Sequence, residues 1–279
     1  MFGRIQDFFH FFHRPQTLCF RPLQRDAIFF SQKNIASRAM LKKRKKHACN
    51  TVFAVIDSRR EFVSTVDAEW RNITKKRHMQ LTLSQPSKMP CQSWSVPALA
   101  CKTGSKLAQV EGSVCHGCYA LKGFYRMPNV QRVLQQRLSL MDSPQWVPAM
   151  VAQIRSTEKS GYFRWFDSGD LQSLKTLKAI VRIAVALPEI KFWLPTKEFG
   201  IVSEYLELFG SFPNNLTVRL SAYMVDKDGP NSLALHLGLT TSEVRTSGET
   251  CPAPKQGNKC LNCRACWNKD VQTVIYKKH

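Results

Sequence analysis

The 279-residue chain has no long apolar run. No stretch approaches the roughly 18–20 uninterrupted apolar residues of a bilayer-spanning helix, so a membrane span is excluded as an expectation. Nor does a charged start, an apolar run and a small-residue cleavage site mark it for secretion, and the expected compartment is reducing and cytoplasmic. Acidic residues are scarce, with 20 Asp or Glu against 41 Lys or Arg and a formal charge of +21. A surface so basic attracts polyanions, nucleic acid among them. The chain is also far longer than a domain that needs disulfide staples. Its ten cysteines therefore call for a different explanation, and in a reducing compartment clustered thiols serve as metal ligands or catalysts.

The charge is unevenly placed. Residues 1–78 carry 17 Lys or Arg against 6 Asp or Glu, a net of +11. They hold the aromatic run Phe8, Phe9, Phe11, Phe12 and the basic block Lys42 to Lys46, with little helical or strand periodicity. The segment reads as a basic leader: disordered or a spurious extension ahead of a start at Met79, with a transit-like leader or a nucleic-acid-binding arm as alternatives. Residues 79–279 read as one α/β domain that includes a cysteine cluster at 251–266.

Within that domain, residues 91–128 are rich in Cys, Gly, Ser and Pro and are expected to form an irregular loop. Helices are expected from Asn129 to about Leu140 and from Pro144 to about Ser156, where Trp146, Met150 and Ile154 recur at four-residue spacing. The strand Tyr162–Phe166 leads to a helix over about Leu171 to Leu187. The strand Lys191–Leu194 leads to a helix around Ile201 to Phe209, and Leu216–Ser221 is a third strand. Strands alternating with helices predict an at least partly parallel sheet, either an α/β layer or a partial β/α barrel, carrying a C-terminal cysteine-rich extension. Ligands of such folds bind at the carboxyl ends of the strands. Those ends are polar here: Asp167, Ser168, Gly169 and Asp170; Thr196, Lys197 and Glu198; Ser221, Tyr223 and Asp226. Arg164 and Arg219 stand out as charges on otherwise apolar strands, and each needs a partner such as Asp167 or Asp226, or an anionic substrate.

The cysteines divide into two sets. Cys251, Cys260, Cys263 and Cys266 follow a C-x8-C-x2-C-x2-C spacing, in which overlapping C-x2-C pairs converge on one centre. Structural zinc more commonly uses two separate C-x2-C knuckles, so an iron–sulfur cluster is preferred to zinc. The second set is Cys91, Cys101, Cys115 and Cys118, in which Cys115-His116-Gly117-Cys118 supplies a chelating pair that Cys101 and Cys91 complete to three or four ligands, with buried structural thiols or a redox C-x2-C pair as the alternatives.

Several stretches resemble the gene product 88 family of bacteriophage and mobile-element proteins. They are Lys88-Met89-Pro90-Cys91, Cys101-Lys102-Thr103-Gly104-Ser105-Lys106, Val114-Cys115-His116-Gly117-Cys118-Tyr119-Ala120, Phe163 to Asp170, Phe192-Trp193-Leu194-Pro195-Thr196 and the cysteine run through Trp267. The resemblance covers Met79 onward and implies a bacterial or phage-infected host cell, but no assigned activity. A weaker similarity is to radical S-adenosylmethionine enzymes. It implies an iron–sulfur cluster on Cys101, Cys115 and Cys118, with Ser168, Gly169 and Asp170 binding the methionine amino group. The usual C-x3-C-x2-C is absent, and Cys91 is placed to fill the iron position that must stay open.

Three functions compete. One is a radical-type iron–sulfur enzyme with the C-terminal cluster auxiliary. Another is a zinc-stabilised nucleic-acid-binding protein with Trp94, Tyr125, Trp193 and Trp267 against bases. The third is a metal-dependent hydrolase using Asp167 and Asp170 with Glu198 or Asp226, in which case Asp170 competes with an ordinary helix N-cap role.

Overall fold

The computed structural model describes residues 81–278; the leader expected over residues 1–78 lies outside them. Six strands form one sheet: β1 (Gln92–Trp94), β2 (Tyr162–Trp165), β3 (Lys191–Thr196), β4 (Leu216–Ser221), β5 (Thr240–Arg245) and β6 (Thr273–Lys277). Their order in the sheet is their order in the chain, and every neighbouring pair is parallel. The helices are α1 (Lys102–Leu107), α2 (Pro128–Leu140), α3 (Trp146–Thr157), α4 (Leu174–Ala186), α5 (Phe199–Phe209) and α6 (Asn231–His236). A strand order that never reverses, with crossovers of one hand, places successive helices on one face. This winding is shared by an open α/β layer and a partial β/α barrel, and β1 and β6 are its two edges.

The pleat sorts side chains between two faces. Trp94, Phe163, Trp165, Phe192, Leu194, Leu216, Val218 and Leu220 point to the outer face, where all are buried. Their partners in one apolar core include Trp146, Met150 and Ile154 of α3 and Leu177, Ile180 and Ile183 of α4. Helix α4 starts three residues later than its periodicity suggests, because Ser173 is the N-cap and its hydroxyl accepts the Thr176 N–H at 3.1 Å. Asp170 therefore does not cap it.

The inner face carries Tyr162, Arg164, Trp193, Thr217, Arg219, Val274 and Tyr276, and residues 251–267 cover it. Trp267 packs edge-on against Tyr162 and Trp193, with centroids 5.4 and 5.3 Å away. Its indole N–H donates to the Phe163 carbonyl at 2.9 Å, and the Thr217 hydroxyl donates to the Trp267 carbonyl at 2.8 Å. Arg219 is fully buried and finds main-chain partners in place of the carboxylate expected for it. Its guanidinium donates to the carbonyls of Cys266, Ala265, Asn268 and Thr241 at 3.0, 2.7, 2.7 and 3.1 Å. The cysteine-rich segment is thus an insertion between β5 and β6 that the sheet itself holds, not a terminal appendage.

The expectation of an irregular 91–128 is overturned in part, because β1, α1 and three short 3₁₀ turns lie within or at the edge of it. Three residues of β1 are too few to show a period.

Candidate metal and cofactor site

The chain that follows β1 folds across the carboxyl ends of the strands and is tied there by side chains from several elements. Thr103 donates its N–H and hydroxyl to the Glu198 carboxylate at 2.8 and 3.0 Å. The Val114 N–H donates to the Tyr223 carbonyl at 2.8 Å, and the Val225 N–H to the Gly112 carbonyl at 2.9 Å. The Tyr223 hydroxyl in turn donates to the Lys197 carbonyl at 3.0 Å. Two tyrosines complete the attachment: the Tyr119 hydroxyl donates to the Asp167 carbonyl, and Tyr125 donates to the Asp167 carboxylate at 3.0 Å.

Asp167 follows Phe166, whose φ of 52° is left-handed and turns the chain sharply out of β2. Besides Tyr125, its carboxylate accepts from the hydroxyl of Ser93 at 2.5 Å and from that of Ser95. Burial and the Asp167 charge raise the pKa of Tyr125. Ser168 and Gly169 serve a closure between β1 and β2. The Ser168 hydroxyl donates to the Val96 carbonyl at 3.0 Å, and the Val96 N–H donates to the Ser168 carbonyl at 3.0 Å. Gly169 has φ +83°, and a Cβ there would lie 2.2 Å from Val96 Cγ2 and 2.8 Å from the Val96 carbonyl oxygen. Gly169→Ala is therefore expected to cost roughly 2–4 kcal/mol from backbone strain and overlap together, read as a fall in Tm by circular dichroism. A change under about 1 kcal/mol would mean the loop re-forms without that contact.

Asp170 accepts the N–H groups of Leu171 at 2.7 Å and Lys197 at 2.9 Å, linking the ends of β2 and β3. Burial raises its pKa, against the opposing pull of Lys197. The charge of Asp170 is felt by the thiols of Cys101 and Cys115, which places the acidic corner next to the cysteine loop.

The eight described cysteines are free thiols, and the fold regroups them. Cys101 is pushed up to about 12 by burial, with the charges of Asp170, Cys115 and Cys118 adding and Lys197 opposing. Cys115 rises for the same first reason. Cys101, Cys115 and Cys118 thus lie within one another's field. Cys91 does not join them. It is buried beneath the inner face in one apolar cluster with Trp193, Cys266, Trp267 and Val274, with Cys251 packed against it. Burial raises it to about 12, and the charge of Cys260 is among the further causes. Of the second set, expected to supply three or four ligands, Cys91 thus lies apart from Cys101, Cys115 and Cys118 and beside Cys251 and Cys266. Sequence spacing hides this, because Cys91 precedes β1 while the other three follow it. Among the described residues no three His, Cys, Asp or Glu side chains are gathered closely enough to hold a metal ion as they stand.

The other candidates have separate partners. The carboxylates offered for a shared ion are held by different donors: Asp167 by hydroxyls, Asp170 by main-chain N–H groups, Glu198 by Thr103, and Asp226 by Thr246 at 2.7 Å. Trp94, Trp193 and Trp267 are buried, so none of the three presents a face to bases, and Tyr125 is engaged with Asp167. The exposed apolar side chains near the thiols are instead Leu99, Phe124 and Met127, beside exposed Lys102, Lys106, Lys122 and Arg126. Nothing in the periodicity marks these as exposed. Beside Asp167 lies a groove of about 600 Å³ lined by Ser95, Tyr125, Asn129, Arg137 and residues 84–88. No helix among the described residues is long and apolar enough to cross a membrane.

The family model described as gene product 88 matches residues 65–269, and the chain belongs to that family. The match starts ahead of Met79, the point at which the sequence pattern was expected to begin. No curated protein and no solved structure matches the chain.

Proposed function

We propose that this gene product 88 protein binds an iron–sulfur cluster or metal through clustered cysteines, and that the loop after β1 is the reactive centre of a radical S-adenosylmethionine-like enzyme. The reading is carried by the placement of Cys101, Cys115 and Cys118 in the loop after the first strand, at the carboxyl edge of a sequentially wound parallel sheet, with Cys91 turned away to the other face. The departure of Cys91 removes the fourth thiol that stood against it.

The residues fit such a group in one specific way. A Cβ on Gly104 would stand 3.0 Å from Cys101 Cβ and in ordinary contact, 3.6 Å, with the sulfurs of both Cys101 and Cys115, so the two thiols flank the glycine. In this reading Cys101, Cys115 and Cys118 hold the cluster, and Gly169 and Asp170 lie where the amino group of the cosubstrate would be received. When bound, the cluster supplies the electron for reductive cleavage of the sulfonium. The protein contributes a buried, polar-edged setting: Lys197 beside the thiols favours their anionic form, and Tyr119 and Tyr125 anchor the loop to Asp167. A reducing cytoplasm, in a bacterial or phage-infected cell, suits eight free thiols.

Full-length protein purified without oxygen tests the reading. Iron with acid-labile sulfide, together with cleavage of S-adenosylmethionine by dithionite-reduced protein, is the expected result, and the Cys101→Ser, Cys115→Ser, Cys118→Ser triple variant is expected to lose the cleavage together with the iron and sulfide of the loop centre. Zinc without sulfide, or iron that neither binds nor cleaves the cosubstrate, would remove the radical assignment.

The second reading, a zinc-stabilised nucleic-acid-binding protein, is favoured by one observation: the exposed basic and apolar lip of Phe124, Met127, Lys122 and Arg126. A single-stranded oligonucleotide binding there makes phosphate contacts with the cations and stacks on Phe124. The Lys122→Ala, Arg126→Ala double variant is then expected to reduce affinity about tenfold and flatten the salt dependence by roughly two counterions, measured by fluorescence anisotropy. Unchanged affinity and slope count against the reading.

A further inference from the structure

On the inner face Arg219 is buried and Arg164 half-buried, and neither makes an ion pair. Arg219 is fully buried and donates only to main-chain carbonyls. Arg164 lies over the Trp193 ring at 4.5 Å, its terminal nitrogens 3.6 Å from Met89 Sδ and 3.4 Å from the Phe166 carbonyl, and its Nε is buried with no acceptor. The ion pairs among the described residues involve Lys175 and Arg245, not these two. Asp167, whose charge Arg164 feels, is already engaged by three hydroxyls. Buried cations are costly unless an anion stands close to them; Arg164 feels Tyr119, Asp167, Tyr276 and Cys266, and the charged neighbours of the thiols include Glu158 and Arg264 beside Cys91 and Lys88 beside Cys260.

Five thiols are drawn to that face, and Cys260 is their hub. Its N–H donates to the Lys88 carbonyl at 2.8 Å, three residues from Cys91, and its carbonyl accepts the Cys263 N–H at 2.8 Å. Cys251 is fixed by its N–H to the Ile275 carbonyl at 3.0 Å and packs in the same cluster as Cys91. The charges of Cys251 and Cys263 act on Cys260, and that of Cys260 acts on Cys91. Cys266 is differently placed. It is buried with its sulfur 3.1 Å from the Tyr276 hydroxyl, and its own carbonyl is taken by Arg219.

We propose that Cys91, Cys251, Cys260 and Cys263 form a second, closed metal centre, an iron–sulfur cluster or zinc held by four thiolates, whose net negative charge faces the guanidiniums of Arg164 and Arg264, which lie over the Trp193 and Tyr162 rings of the same face. Four thiolates around zinc, or around an oxidised four-iron cluster, leave a dianion, and two guanidiniums match it. Arg164 acts on Cys91 and Cys260 and Arg264 on Cys91, whereas Arg219 acts on Cys266, outside the four. Four protein ligands leave no coordination position for a substrate, so this centre secures residues 251–267 against the sheet. It shares no thiol with the loop centre and stands or falls separately from it.

The test compares metal and sulfide per chain in full-length wild type, Cys91→Ser, Cys260→Ser, Cys266→Ala and the Cys101/Cys115/Cys118 triple serine variant, all purified without oxygen. Cys91→Ser and Cys260→Ser are expected to lose one centre's metal, while Cys266→Ala and the triple variant keep that centre. Sulfide accompanying the lost metal identifies a cluster, and its absence identifies zinc. Wild-type metal content in Cys91→Ser overturns the proposal, as does loss in Cys266→Ala equal to that in Cys260→Ser. A triple variant with unchanged metal instead counts against the loop centre alone. Because Cys91→Ser is a core change that can impair folding, alkylation of native wild-type protein gives an independent measurement. Chelation is expected to raise labelling of Cys251, Cys260 and Cys263 together, and labelling indifferent to the chelator overturns the centre.

Discussion

Arg219→Met is expected to lower the stability of the protein by roughly 3–5 kcal/mol, the range seen when a buried charged hydrogen-bonding group loses its partners. For a domain of this size that corresponds to a fall in Tm on the order of 10 °C. Methionine nearly matches the length of the side chain but has no donor, so the carbonyls of Ala265, Cys266, Asn268 and Thr241 lose the guanidinium that satisfies them. These carbonyls belong to two separate segments, β5 and the end of the cysteine-rich insertion. The guanidinium is the cross-link between β4 and that insertion, and its planar fork can serve several acceptors at once. Arg219→Lys retains the charge with three donors on a flexible stem, and is expected to recover only part of the loss. Thermal unfolding by circular dichroism measures the difference, and limited proteolysis locates it: cleavage within residues 251–267 is expected to accelerate first. A variant within about 1 kcal/mol of wild type would show that the insertion is held by Trp267 and Thr217 without Arg219.

What the sequence reveals and what it hides follow from the length of the elements. Strand β4 is legible residue for residue, because six alternating positions carry a clear period. Helices α2 to α5 are legible to within a few residues, since their buried faces recur every three or four positions. Strand β1 is not, being three residues inside a cysteine- and serine-rich stretch. Strand β5, Thr240–Arg245, is written almost wholly in polar residues. It is identifiable only from its neighbours, because Thr241 pairs its hydroxyl with Asn231 and Thr273 in place of apolar packing. The site follows the same logic. Asp167, Gly169, Asp170 and the cysteines are visible as unusual residues at strand ends. The grouping of the thiols is not, because it depends on which side of a three-residue strand each one falls. The need of Arg164 and Arg219 for a partner is visible in sequence, but a partner made of main-chain carbonyls leaves no trace there.

Asp167→Ala is the variant that separates a structural aspartate from an ion ligand. In the structure the carboxylate is an acceptor hub: the hydroxyls of Ser93 and Ser95 come to one oxygen and that of Tyr125 to the other. Ser93 and Ser95 are fully buried, so removing the carboxylate strands both, at about 1–3 kcal/mol for each unsatisfied group before relaxation. It also removes a negative charge felt by half-buried Arg164. The expected net loss is roughly 2–4 kcal/mol, within the range for breaking a buried network, and it should be accompanied by faster amide exchange in residues 119–127, whose attachment runs through Tyr125. Asp167→Asn keeps the shape but offers one acceptor oxygen in place of two, so it should fall between wild type and alanine. A divalent-ion site makes the opposite forecast. Free of its ion, a carboxylate ligand is a source of repulsion, so alanine would be nearly neutral for stability, and Mg²⁺ or Mn²⁺ would raise the wild-type Tm and leave the variant unmoved. The hydrogen-bond donors already converging on Asp167 supply hydroxyl protons where a cation would have to sit, and on that ground the large loss without any response to divalent ions is the expected result.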